Sequence, residues 1–172
     1  VIASDDTATA TEAGGTTNGT VGVNPTANLL TNDSNVVGTK AIKDVTGAGA
    51  LTAVTATGST PITGAYGTLL VAADGSYTSN VANNNPTVEA LRTSADKLTD
   101  TFSYTLTDGQ GHTSTAKLMV TVQGANDAPV AVADTASATE AGGVANATPA
   151  TNPTGSVLTN DTDIDTGDTK VV

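Results

Sequence analysis

Residues 101–106, Thr-Phe-Ser-Tyr-Thr-Leu, and residues 116–122, Ala-Lys-Leu-Met-Val-Thr-Val, flank the turn segment Asp108-Gly109-Gln110-Gly111. Both flanking runs alternate in polarity, which is typical of strands with one buried face. Asp-Gly between two such runs is typical of a tight hairpin. This stretch therefore predicts a half-buried antiparallel hairpin and an all-β fold.

The same alternation continues outward along the chain. Asp74-Gly75 predicts a second hairpin between two apolar runs. Pro86, followed by Val88 and Leu91 at helical spacing, predicts one short helical turn within residues 86–92. Together the patterns predict an all-β, Ig-like antiparallel β-sandwich of about seven strands. The strands are expected near residues 5–12, 40–46, 50–57, 67–72, 76–79, 100–107 and 114–123.

The composition limits both the core and the partners. With one Phe, three Tyr and no Trp, the core must be mainly aliphatic. The absence of Cys excludes disulfides, thiolate zinc sites and cysteine nucleophiles. Seventeen acids against six bases give a net charge of −11. Nucleic acids and anionic membranes are therefore poor partners, whereas divalent cations are natural ones.

An internal repeat sets the domain organisation. The segment 6–33 recurs at 134–161 with an offset of 128, and 18 of the 28 positions are identical. The second copy then carries two extra residues, so that Lys40 corresponds to Lys170. We therefore predict a complete β-sandwich repeat at residues 1–127, followed by a linker and the N-terminal part of the next repeat at residues 128–172.

The ends of the chain lead to two further expectations. The N-terminal segment has neither a basic region nor an apolar run, so we expect no signal peptide or anchor and interpret the chain as an internal piece of a longer protein. Residues 130–172 hold only the first strands of a sandwich and are not expected to bury a core alone. They either extend freely, pair with a neighbouring molecule or indicate a shifted domain boundary.

The order of several motifs resembles the VCBS-type repeat of giant RTX-type bacterial adhesins. The motifs are Gly67-Thr-Leu69, Ala73-Asp-Gly-Ser-Tyr-Thr78, Val88-Glu-Ala-Leu91, residues 98–111 and residues 120–129. Residues 155–165, Gly-Ser-Val-Leu-Thr-Asn-Asp-Thr-Asp-Ile-Asp, resemble the first segment of the cadherin-like repeats in the same proteins.

This resemblance implies a cadherin-like sandwich in a tandem array on the bacterial cell surface. It implies type I secretion, calcium ions at the junctions between adjacent repeats and a rod that supports attachment and biofilm formation. Any adhesive ligand would then be bound by other domains of the parent protein. The alternative is a calcium-dependent module that binds a glycan or a protein directly.

The distribution of acids indicates where calcium would bind. Calcium takes 6–8 oxygen ligands, mainly from carboxylates and carbonyls. The candidate ligands at the junction are Asn126, Asp127, Asp134 and Glu140, with help from Asp108. Asp108 could also be only a turn residue of its hairpin, and Asp74, which is not a candidate ligand, is interpreted as a turn residue in the same way. The run Asp161, Asp163, Asp165 forms a second group. The competing interpretation for both groups is a solvated acidic surface.

The acidic run is not an EF-hand. Thr166 stands where that motif requires Gly, and Val172 stands where it requires Glu. The first copy reads Asp33-Ser34-Asn35-Val36-Val37 at the matching place and lacks two of the carboxylates. A site there is expected to be weaker or absent.

Catalysis is not expected. The single histidine, His112, follows a hairpin glycine, and the Gly-rich segments lack the helix and Lys of a phosphate-binding loop. An internal isopeptide bond from Lys43, Lys97 or Lys117 has no supporting motif. Calcium is therefore the one cofactor that the sequence predicts.

Overall fold

The computed structural model describes residues 1–34 and 36–172. Within these residues, nine strands and one short α-helix form between Asp6 and Gln123. The strands are β1 (Asp6–Thr11), β2 (Thr26–Asn28), β3 (Ala41–Thr46), β4 (Thr52–Ala53), β5 (Ser59–Thr63), β6 (Gly67–Ala72), β7 (Ser76–Val81), β8 (Lys97–Thr107) and β9 (Thr113–Gln123), and the helix is α1 (Pro86–Glu89).

Two sheets pack face to face, which confirms the predicted sandwich. One sheet has the strand order β1-β9-β8-β3-β4 and the other β2-β7-β6-β5. The long hairpin β8–β9 pairs Lys97 with Gln123 at one end and Thr107 with Thr113 at the other. The predicted antiparallel arrangement needs one correction, because β1 runs parallel to β9 and places Asp6 beside Leu118.

The core lies between the sheets and follows from the alternation in the strands. Phe102 and Tyr104 of β8 and Leu118 of β9 point inward with Leu69 and Val71 of β6. The intervening residues of β8 and β9 are mostly Thr, Ser and Lys, and they face outward. One mainly aliphatic core with three aromatic side chains, Phe102, Tyr104 and Tyr77, therefore holds the sheets together.

Two strands, β2 and β5, were not predicted from the sequence patterns. β2 has only three residues, and β5 contains Pro61. Pro61 is tolerated because β5 is the edge strand of its sheet, where one backbone N–H can be lost. The predicted strand at residues 50–57 is also reduced to the two residues of β4.

The predicted turns and the helical turn are present. Gly75 has a φ of 85°, which only Gly adopts easily, and Asp74 Oδ1 accepts a hydrogen bond from the Ser76 N–H at 2.9 Å. Asn85 caps α1 by accepting a hydrogen bond from the Thr87 N–H at 2.9 Å. The buried Val88 fixes α1 against the sandwich.

Residues 128–172 repeat the local geometry of the first copy without its strands. The isolated bridges Thr139–Thr151 and Gly142–Thr148 correspond, at an offset of 128, to bridges at the start of the chain. Residues 131–140, which include the counterpart of β1, are exposed. The division into a complete repeat and the beginning of a second one stays a prediction. Among the described residues, no helix is long and apolar enough to cross a membrane.

Candidate metal centre

Glu12 is a buried carboxylate directly after β1. Its backbone N–H donates to the Gln123 carbonyl at 3.0 Å, and its Oε1 accepts a hydrogen bond from the Ala125 N–H at 3.0 Å. The residue is 1% exposed, and Oε2 is buried without a hydrogen-bond partner. The pKa of Glu12 is raised to about 7, mainly by burial; the hydrogen bond from the Ala125 N–H lowers it, and the charges of Asp127, Glu89 and Asp165 raise it.

The segment after β9, residues 124–128, is called the linker below, and it lies close against Gly14 and Gly15. The Gly15 N–H donates to the Asn126 carbonyl at 2.8 Å, and the Ala128 N–H donates to the Gly15 carbonyl at 3.2 Å. A Cβ at Gly14 would stand 2.8 Å from the Asn126 carbonyl oxygen. The two glycines therefore allow the backbone contact that places Asp127 near Glu12.

Asp127 is the second buried acid. It is 5% exposed, its backbone N–H donates to Asp165 Oδ2 at 2.7 Å, and its own Oδ2 is buried without a partner. Burial, together with the charges of Glu89, Asp165 and Asp163, raises the pKa of Asp127 to about 6. Asp127 therefore lies among three other acids.

Asp163, Asp165 and Asp168 form the acidic loop, which we define as residues 163–168. One carboxylate oxygen of each lies within 4.8 Å of the others. Asp163 Oδ1 accepts a hydrogen bond from the Asp165 N–H at 3.0 Å, and the buried Asp165 leaves its Oδ1 without a partner. The three side chains therefore present several oxygens toward a small space.

The acidic loop also contacts the first copy beside α1. The Thr166 N–H donates to the Ala90 carbonyl at 3.1 Å, and Arg92 Nη1 donates to the Gly167 carbonyl at 3.0 Å. Arg92 Nη1 lies 3.8 Å from Asp168 Oδ1. These contacts bring carboxylates of the second copy to the buried acids of the first.

Glu89 of α1 adds a further charge near Glu12 and Asp127. Asn18 Nδ2 donates to both carboxylate oxygens of Glu89, at 3.1 and 3.2 Å, while Asn18 Oδ1 is buried without a partner. Asn18, Glu89 and Asp127 line one cavity beside Gly15. All of these groups offer oxygen, which is the ligand atom that calcium prefers.

The structure brings together four of the eight predicted ligands. Asp127, Asp163 and Asp165 carry buried or clustered carboxylates, as described above. Asn126 is at the same place, but its carbonyl accepts from Gly15 and its Nδ2 donates to the Asp127 carbonyl at 2.5 Å. Asn126 therefore acts mainly through its backbone.

The other four predicted ligands lie apart from these, and their role as ligands stays a prediction. Asp134 lines a separate exposed cavity, Glu140 is exposed, and Asp161 Oδ1 accepts a hydrogen bond from the Val132 N–H at 2.7 Å. Asp108 directly follows β8, and the full length of the 11-residue strand β9 separates it from the residues after Gln123.

Asp108 has the role of a turn residue. Its Oδ1 accepts hydrogen bonds from the Gln110 and His112 N–H groups, and its Oδ2 lies 3.0 Å from His112 Nδ1. Burial raises the pKa of Asp108, but the hydrogen bonds from His112 and Gln110 outweigh burial and lower the pKa to about 2. The one histidine therefore stabilises a hairpin loop.

Sequence reasoning missed Glu12, Glu89 and Asp168. Glu12 had a visible signal, because it is the repeat counterpart of Glu140 at the offset of 128. Asp168 is the last acid of the run that contains Asp163 and Asp165. Glu89 had no comparable signal, since its position depends on how α1 packs.

The lysines considered for an internal crosslink are solvent-exposed. Lys43, Lys97 and Lys117 all lie on strands with exposed side chains. A buried crosslink with a neighbouring acid or amide would require these side chains to point inward. Their placement gives no support to such a bond.

Comparison with known proteins gives one family. Residues 1–124 are similar to the family model of the bacterial cadherin-like domain. No curated protein matches the chain. The matched range includes Glu12 and Glu89 and ends before Asp127 and the acidic loop.

Proposed function

The chain belongs to the family of bacterial cadherin-like domains, and on that premise we propose that it is a calcium-binding extender repeat of a large secreted adhesin. A bacterial cadherin-like sandwich is a non-enzymatic type of fold that fits an adhesin repeat. In this proposal the repeat works outside the cell, at the bacterial surface. Its partners are the adjacent repeats of the same chain and calcium ions.

The proposal rests mainly on a set of buried carboxylate oxygens that have no hydrogen-bond partner among the residues that the structure describes. Glu12, Asp127 and Asp165 each hold one such oxygen, and the three residues are at most 5% exposed. Burying unpaired carboxylates near one another is costly unless a cation compensates their charge. An exposed acidic surface, which was the competing interpretation, would leave these oxygens in water.

The proposed ligands come from both copies. Glu12, Glu89 and Asp127 of the first copy and Asp163, Asp165 and Asp168 of the second would hold the metal. A bound calcium ion supplies positive charge and accepts six to eight oxygens. These residues would then hold the acidic loop against α1 and the linker, and the joint between the copies would become stiff.

Calcium binding would also make the stability of the junction depend on whether the protein is inside or outside the cell. Calcium binds only the folded junction, so high extracellular calcium would stabilise that state by mass action. In calcium-poor surroundings the acids would repel and loosen the joint. This accords with a type I secreted, VCBS-like adhesin that becomes a stiff rod during attachment and biofilm formation.

The burial of the aromatic residues favours a spacer over a glycan-binding module. Phe102, Tyr104 and Tyr77 are buried in the core, and Tyr66 packs against it. Sugar-binding sites commonly use exposed aromatic rings, whereas every aromatic side chain of this protein packs in or against the core of the sandwich. The adhesive ligand is therefore assigned to other domains of the parent protein.

Calcium titration by calorimetry tests the proposal with a matched pair of variants. Glu12→Gln removes a buried carboxylate at the junction, whereas Glu140→Gln removes its exposed repeat counterpart. We expect Glu12→Gln to weaken calcium binding by at least about tenfold, because a ligand charge is lost, and Glu140→Gln to leave the affinity unchanged. Equal effects of the two substitutions, or no calcium binding by the unmodified chain, would refute the proposed site.

A further inference from the structure

In the first copy, the side chain of Lys40 contacts the Leu30-Thr-Asn-Asp33 motif, which recurs in the second copy as Leu158-Thr-Asn-Asp161. Lys40 Nζ donates to the carbonyl of Leu30 and lies 3.4 Å from the carbonyl oxygen of Asp33, seven positions earlier. The side chain is half-buried. An ammonium group with three donors is thus used to hold the two ends of one loop together.

The second copy repeats this arrangement across a longer loop. Lys170 Nζ donates to the Leu158 carbonyl at 3.2 Å and to the carbonyl of Asp161, nine positions earlier. The two extra residues of this copy lie between Asp161 and Lys170. The same two carbonyls are therefore reached although the loop is longer, which indicates that the contact is a property of the repeat.

The segment that Lys170 closes contains the acidic loop. Asp163, Asp165 and Asp168 all lie between the carbonyl of Asp161 and the ammonium group of Lys170. Repulsion among the three carboxylates favours an open loop in the absence of metal. A contact that ties the loop ends together reduces the number of open conformations that metal binding must remove.

We propose that Lys170 is a positioning residue for the junction site, which holds the acidic loop closed so that its carboxylates are placed for a calcium ion. This inference rests on the proposed calcium-binding function. It assigns Lys170 no contact with the metal. Lys40 performs the same closure on a loop without the acidic cluster, so it has no influence on calcium.

Simple electrostatics predicts the opposite effect for loss of this lysine. Removing a positive charge beside a cation site should strengthen cation binding, whereas opening the acidic loop should weaken it. Lys170 Nζ contacts the backbone carbonyls of Leu158 and Asp161 and not a carboxylate of the acidic loop. The sign of the change in affinity therefore separates the two explanations.

Calcium calorimetry on the full chain tests this inference with three variants. Lys170→Met keeps the length of the side chain and removes the ammonium, Lys170→Arg restores a donor cation, and Lys40→Met is the matched control in the first copy. We expect Lys170→Met to weaken calcium binding about tenfold, within the range seen when groups that orient metal ligands are removed. Lys170→Arg should recover most of the affinity, and Lys40→Met should leave it unchanged.

Thermal unfolding in chelator accompanies the titration and reports any general loss of folding. An affinity of Lys170→Met that is unchanged or tighter would overturn the positioning role while leaving the proposed calcium site intact. An equal loss in Lys40→Met would overturn it as well, because the effect would then be one of general stability. Absence of calcium binding by the unmodified chain would overturn both this inference and the proposed function.

Discussion

Glu12 is a carboxylic acid almost entirely out of solvent, and its pKa of about 7 has a consequence for stability. Because the folded state holds this proton more tightly than the unfolded state does, the stabilisation from Glu12 in the metal-free protein is fully present below the unfolded pKa of 4.5. That stability is lost as the pH rises through about 7. The pKa of Asp127, about 6 against 3.8 unfolded, acts in the same direction.

We therefore expect the thermal unfolding temperature in chelator to decrease as the pH rises from about 5 to about 8. Ionisation of Glu12 accounts for about 3 kcal/mol of the free energy of unfolding lost over this range. Scanning calorimetry across this range measures the effect. Excess calcium should remove the fall, since the metal binds the ionised carboxylates, and Glu12→Gln should flatten it in chelator. A midpoint in chelator that is constant or rises with pH would contradict the assigned burial of these acids.

At this scale the sequence predicted only part of the site. Asp127, Asp163 and Asp165 were predicted because they belong to dense acidic runs beside a repeat boundary. Glu12 is isolated in sequence, and its burial depends on the Ala125 N–H, 113 positions away. Asp108, in contrast, was predicted as a possible ligand, but N–H groups of its own turn already donate hydrogen bonds to its carboxylate, which therefore needs no metal.

The linker after β9 depends on a close backbone approach at Gly14. A Cβ there would stand 2.8 Å from the Asn126 carbonyl oxygen, whereas the repeat counterpart, Gly142, has no atom within 4 Å of an added Cβ. We expect Gly14→Ala to destabilise the calcium-loaded protein by about 1–3 kcal/mol through the displaced linker. Gly142→Ala should have almost no effect.

Chemical denaturation with and without calcium measures both glycine variants. The displaced linker also moves Asp127, so Gly14→Ala should lose part of the calcium-dependent stabilisation. Equal stability of the two variants would show that the linker does not lie against Gly14. Such a result would remove the element that places Asp127 near Glu12.

Strands with a strong alternating pattern were predicted from the sequence, and strands defined by their neighbours were not. The β8–β9 hairpin combines long alternating runs with a Gly-containing turn, so local residues suffice to specify it. β2 exists because Thr26–Asn28 pairs with β7, and β5 is an edge strand that tolerates Pro61. The parallel pairing of β1 with β9 likewise depends on residues more than a hundred positions apart.

The whole molecule is a β-sandwich over residues 6–123, and polar contacts hold the acidic loop against it. Asp165, Thr166 and Gly167 contact Asp127, Ala90 and Arg92 respectively, all near one end of the sandwich. The repeat in the sequence indicated that two copies meet in this region. It could not indicate that the acidic loop lies beside α1, because that placement depends on the folded surfaces.

A single calcium site built from carboxylates of both copies should respond to calcium in both copies at once, which amide-resolved NMR during a calcium titration can detect. We predict that the amides of Ala125, Asp127 and residues 163–168 shift together with a single dissociation constant, on the order of 10⁻⁴–10⁻³ M as in extracellular calcium modules. The amides of Gln110 and Asp134 should not shift. Shifts confined to residues 163–168, or shifts with different dissociation constants in the two copies, would contradict a shared site.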